Sequence, residues 1–177
     1  DRLPLSSGVR AALASHAPAG LVQRLQARWQ GSVESLKQYE VKGAISQLAL
    51  APVGEVPGLR GANLDFDLNQ AGGKAKIEIV NGVVSLPAFF AEPHIEVADL
   101  LTEARWQIKG GQIEVALPKV TFSNADTRGE AQIKWATSDP TKNSRGARFP
   151  GVLDLQATLK DANGTRVHRY LPLVIQA

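Results

Sequence analysis

The chain has 177 residues, of which 44% are hydrophobic and 21% charged. That balance excludes intrinsic disorder and suits one domain able to bury roughly two-thirds of its unfolded surface. Its 20 Lys and Arg against 17 Asp and Glu leave a net charge of +3, and the basic residues are scattered among apolar ones. No basic stripe follows a phosphate backbone, so nucleic acid is not an expected partner. Cysteine is absent, which excludes disulfides and thiolate metal sites.

The opening residues, Asp1 to Ser7, lack the basic start and apolar stretch of a signal peptide. No apolar run approaches the ~20 residues of a membrane-spanning helix. A chain that begins at Asp1 and contains no methionine reads as a segment of a longer protein, with room for an anchor outside it. Ser6 or Ser7 as a cap predicts a short helix over about residues 7–16, with Val9, Ala12 and Leu13 on its buried side. Pro18 and Gly20 end it.

From about residue 21 to 175 the period of the pattern is two. Leu25, Ala27 and Trp29 alternate with Arg24, Gln26 and Arg28; Leu64, Phe66 and Leu68 alternate with Asn63, Asp65, Asp67 and Asn69. Ala75, Ile77 and Ile79 follow, then Ala104, Trp106 and Ile108, then Ile113, Val115 and Leu117. Ala131, Ile133 and Trp135 come next, and Leu153, Leu155, Ala157 and Leu159 complete the set. Successive strand side chains point to opposite faces, so each run has one dry and one wet face, as in an antiparallel sheet. Between Ile45 and Leu48 the apolar parity changes, which predicts a bulge. Gly72-Gly73, Asn81-Gly82, Gly110-Gly111 and Asn163-Gly164 supply the positive φ of tight hairpins, with a looser turn at Asn124 to Gly129 and a polar loop from Thr137 to Gly151. The alternation counts to roughly nine or ten strands.

No catalytic pattern stands out. His16, His94 and His168 have no metal-site spacing, and Asp65 and Asp67 share the wet face of a strand. No serine sits in a nucleophile elbow, and the paired glycines match turns and not a phosphate loop. Only a long-range cluster such as His94 with Asp99 and Glu103 would support an enzyme. No cofactor is expected. The sheet's dry face must still be covered. One helix of about ten residues spans only ~15 Å, so the sheet either folds onto itself as a sandwich or leaves an apolar trough. Periodicity does not choose between these.

The run Pro57-Gly58-Leu59-Arg60-Gly61, a strand, and then Gly72-Gly73 resembles the AsmA-like proteins of the YhdP type. Val84-Ser-Leu-Pro87-Ala-Phe-Phe90, the Trp106 strand, Asn124 after a strand, the opening Pro18 to Leu21 and the closing Tyr170-Leu171-Pro172 fit the same order and spacing. The likeness covers about Val9 to Pro172, and departs most at the polar stretch from Thr137 to Arg148. The resemblance implies a mainly β fold, a curved antiparallel sheet forming an open hydrophobic groove. It also implies an inner-membrane-anchored periplasmic bridge that carries phospholipid between the inner and outer membranes of Gram-negative bacteria. The expected partners are phospholipid acyl chains, adjacent segments of the same chain and the two membranes. The residues expected to line the groove are Leu25, Trp29, Phe66, Leu68, Ile77, Ile79, Trp106, Ile108, Ile113, Val115, Ile133, Trp135, Leu153 and Leu155. The alternative from a different class is a closed β-sandwich serving as a structural or protein-interaction module of the envelope.

Overall fold

The computed structural model describes residues 11, 14–32, 35–54, 56–87, 89–139, 141 and 151–170. Eight strands follow one another: β1 Ala19–Ser32, β2 Ser35–Leu50, β3 Gly58–Asn69, β4 Gly72–Ser85, β5 His94–Lys109, β6 Gln112–Ser123, β7 Arg128–Ala136 and β8 Val152–Lys160. They form one antiparallel sheet in the order of the chain, each hydrogen-bonded to its sequence neighbours. Among the described residues substantial contacts between strands run only between those neighbours. Among the described residues there is therefore no opposing layer and no closure of β1 onto β8. The accessible surface of 12101 Å² exceeds the about 8,300 Å² of a compact protein of 18.9 kDa. The sheet is open and curved, as the resemblance implied.

Among the described residues the front of the chain is helical at Ala11 and Ala14 to His16; the expected cap and Val9, Ala12 and Leu13 lie outside the described residues. His16 ties this segment to the end of β2, its carbonyl accepting the Ala51 amide at 2.8 Å. Strand structure ends at Lys160 among the described residues, and Val167–Tyr170 is a 3₁₀ turn. Most of the polar stretch 140–150 also lies outside the described residues.

Two expected hairpins are corrected. Asn81-Gly82 lies inside β4, where Asn81 takes φ 52° and turns the strand without ending it. Asn163-Gly164 follows β8 and leads into the 3₁₀ turn. Among the described residues there are eight strands, and the runs on either side of Asn81 are one bent strand. Gly110 and Gly111, at φ 56° and 80°, do close the β5–β6 hairpin, since a tight turn matching strand twist needs positive φ at both positions.

Curvature comes from irregularities on neighbouring strands. The register shifts between Ile45 and Leu48 in β2, where Gln47 has φ 53°, and between Arg60 and Ala62 in β3, where Gly61 has φ 81°. On β6 an extra residue at Pro118-Lys119 shifts the register against both β5 and β7. Proline is tolerated there because a bulged position owes no ladder hydrogen bond. Bulges bend a strand and increase its twist, so these positions together curl the sheet.

Aromatic rings on the inner face lie over glycines of the neighbouring strand. Phe66 pairs with Gly43, Trp106 with Gly73 and Phe122 with Gly129. A Cβ at Gly73 would come within 2.6 Å of the Trp106 ring and 2.7 Å of Leu68 Cβ. Gly73→Val should therefore destabilise the fold by about 1–3 kcal/mol through overpacking. At this chain length that lowers Tm by roughly 2–4 °C per kcal/mol. A thermal melt indistinguishable from the wild type would mean that the ring is not seated on the glycine.

Candidate functional site

Residues paired across antiparallel strands share a face, so the register shows what the inner face presents. One ladder reads Ala27, Val41, Leu68, Gly73, Trp106, Val115, Trp135 and Leu153 from β1 to β8. The next combines Leu25, Gly43, Phe66, Ala75 and Ala104 with Leu117, Ile133 and Leu155 beyond the β6 bulge. A third runs through Ile45, Leu64, Ile77, Thr102, Val120, Ala131 and Ala157. A fourth joins Leu48, Ala62, Ile79, Leu100, Phe122, Gly129 and Leu159. Thr102 is the one polar side chain in these rows, and its hydroxyl donates to the Lys119 carbonyl at 3.0 Å, inside the β6 bulge. Four apolar rows thus cross the sheet from strand to strand.

All fourteen residues expected to line a groove fall on this face. Ile108 and Ile113 pair beside the β5–β6 hairpin, and Trp29 pairs with Tyr39 near the β1–β2 turn. Their environments differ along the sheet. Ile79 is 1% exposed, which in a single layer requires a concave surface, whereas Trp29 and Leu25 on edge strand β1 are each 59% exposed. Sequence reasoning missed Val41, Leu48, Leu100, Val120 and Phe122, all on strands whose alternation is interrupted. The opposite face carries the charges: Arg24 pairs with Asp65, and Lys42 with Asp67 at 3.0 Å. Those aspartates of β3 are held by cations of β1 and β2.

At the end of the sheet where β6 meets β7 the chemistry changes to polar. Asn124 Oδ1 accepts the amides of Asp126 and Thr127 at 2.9 and 3.0 Å, fixing the turn. The buried Asp126 carboxylate accepts from Arg166 Nη1 and Arg169 Nη1, both at 2.9 Å, and from the Tyr170 hydroxyl at 3.2 Å. Tyr170 in turn accepts from Asn124 Nδ2 at 2.7 Å, and Arg169 also reaches Glu92 at 2.7 Å. Burial pushes the Asp126 carboxyl up, but hydrogen bonds from Arg166 and Tyr170 and the charges of Arg166 and Arg169 outweigh it and hold it below the usual carboxylate range. Burial and the nearby Asp126 carboxylate push the Tyr170 phenol up, against a hydrogen bond from Asn124 that lowers it. The turn at Asn124 and the tyrosine before Pro172 are visible in the sequence, but nothing there shows that they meet.

A cavity of about 1090 Å³ joins the two regions; Leu50, Leu59, Ile95 and Val97 line it together with Glu92, Asp126, Arg166, Arg169 and Tyr170. Ser85 and His94, a registered pair of β4 and β5, hydrogen-bond at 2.8 Å within its wall. The grouping of His94 with Asp99 and Glu103 does not form: Asp99 bonds to Ser123 and Glu103 to Arg105. Among the described residues no three His, Asp or Glu side chains are arranged to hold a metal ion.

Asp126 sets a pH window. Its folded-state pKa lies below the unfolded value, so its contribution is present above about pH 4 and is lost as pH falls through the folded value. Tyr170 has the opposite sense, contributing below about pH 10 and losing its contribution as pH rises through its raised pKa. The other ionisable side chains lining the same cavity are Arg60, Glu92, His94 and Glu96. The Asn163 amide, which donates to the Asp126 carbonyl, should keep a constant hydrogen-exchange protection factor from pH 5 to 8. Protection should fall below about pH 4, and this acid step should disappear in Asp126→Asn. Protection that persists unchanged to strong acid would refute the assignment.

No curated protein and no solved structure matches the chain. The profile of the YhdP protein family matches residues 1–176, nearly the whole length. The open curved sheet and its one apolar face agree with that match, and the chain belongs to the YhdP family.

Proposed function

We propose that this chain is one segment of a lipid-conducting trough in a periplasmic bridge anchored to the inner membrane. In this role it passes phospholipid between the inner and outer membranes and supports the outer-membrane barrier. The observation that carries the reading is the set of apolar ladders crossing a sheet that, among the described residues, no second layer covers. Acyl chains laid on such a surface gain about 0.8 kcal/mol for each methylene removed from water. Strands of 9 to 16 residues give the sheet a span of roughly 30–50 Å along the strand direction. Headgroups remain in solvent on the open side, so the lining discriminates little between them. Transfer of this kind is physical and needs no catalytic group.

Adjacent segments of the longer protein are the natural occupants of the two sheet edges. Among the described residues β1 and β8 are the edges of the sheet, exposing Leu21, Val22, Leu25, Val152 and Leu153 together with the backbone groups of an edge strand. A strand added to either edge covers both. Among the described residues no helix is long and apolar enough to cross a membrane. The membrane ends of the bridge are assigned to other parts of the protein.

Delipidated protein should take up a fluorescent phospholipid from donor vesicles. Trp106→Glu combined with Ile133→Glu places charge on two adjacent ladders and should abolish uptake, while Gln132→Glu on the outer face should leave it intact. Full uptake by the folded double variant, judged by far-ultraviolet circular dichroism, would count decisively against the trough.

A further inference from the structure

After β8 the chain turns back toward β5 and β6. Asp161 pairs with Arg128 at 2.9 Å, the Asn163 amide donates to the Asp126 carbonyl at 2.8 Å, and Arg166, Arg169 and Tyr170 converge on the Asp126 carboxylate. The receptor for this segment is built without it. Asn124 fixes the β6–β7 turn through the amides of Asp126 and Thr127, and the Thr127 hydroxyl donates to the Lys160 carbonyl at 3.0 Å. Residues 161–166 are exposed, and among the described side chains the segment adds none to the apolar core cluster. Its attachment is therefore polar and centred on one carboxylate. A segment held this way opens locally while the sheet behind it stays folded.

Its position gives the opening a consequence. Arg166, Arg169 and Tyr170 form one side of the 1090 Å³ cavity, facing Leu50, Leu59, Ile95 and Val97 where the apolar face reaches this end of the sheet. We propose that Asp161–Tyr170 is a releasable strap, latched on Asp126, that closes this end of the trough and gates the passage of acyl chains there. The latch stands on the contacts alone, whereas the gate rests on the lipid reading above.

The chain contains no cysteine, and a Cβ at Gly164 meets nothing within 4 Å, so Gly164→Cys carries a nitroxide label on the strap without disturbing it. The label's electron paramagnetic resonance spectrum in the otherwise wild-type chain should show the restricted backbone motion of an ordered surface loop, with no immobilised component. The label should become more mobile in Asp126→Asn and in the double variant Arg166→Gln/Arg169→Gln, which leaves the turn untouched. Uptake of fluorescent phospholipid should accelerate several-fold in both variants, with the same amount bound at equilibrium. A spectrum in both variants identical to that of the otherwise wild-type chain would overturn the latch. A freed label with an unchanged uptake rate would overturn the gate and leave the lipid reading standing. Absence of uptake by every form, wild type included, would remove the lipid reading and the gate with it, while the label spectra decide the latch.

Discussion

A sheet that has one apolar face and no partner layer must hide that face by bending. Fully burying an aliphatic side chain is worth about 1.5–3 kcal/mol, and in a flat single layer that contribution is largely forfeited to water. Here the interior strands recover part of it. Ala62 and Ile79 are almost wholly shielded by Leu48, Val97 and their neighbours on the same curved surface. The edge strands have no neighbour on one side, and their large apolar residues stay exposed. Curvature, glycine placement and edge exposure are thus consequences of one missing layer.

The devices that produce the bend are also what hid parts of the fold in the sequence. The stretches Leu64 to Leu68, Ala104 to Ile108, Ala131 to Trp135 and Leu153 to Leu159 keep an unbroken period of two, and their inner faces were legible. Where a bulge adds a residue, the parity of apolar positions flips and the pattern reads as two strands or none. Asn81 inside β4 and Pro118-Lys119 inside β6 are of this kind. Asn81-Gly82 carries the same residues as a hairpin turn, and only pairing with β3 and β5 on both of its sides shows that the strand continues. The change in β2 between Ile45 and Leu48 was readable because several apolar residues flank it closely. The Asp126 cluster joins residues more than 30 positions apart through polar groups, and no local period records such a meeting.

The molecule therefore has two chemical regimes along its strands. Through the middle, small residues alternate with aromatic ones, so rings of one strand fill the space left by glycines of the next. At the β6–β7 end, a carboxylate with several donors holds a returning segment whose attachment depends on charge and not on buried area. The first regime gives a stiff apolar surface, and the second gives an end that can open without cost to the sheet.

The central claim is that acyl chains occupy the concave face. Trp29, Trp106 and Trp135 lie on that face and are the protein's only tryptophans, so they report contact directly. Phospholipid brominated along its acyl chains, loaded onto delipidated protein, should quench their fluorescence, while the unbrominated lipid should not. Bound brominated lipid that leaves all three emissions unchanged would contradict the account.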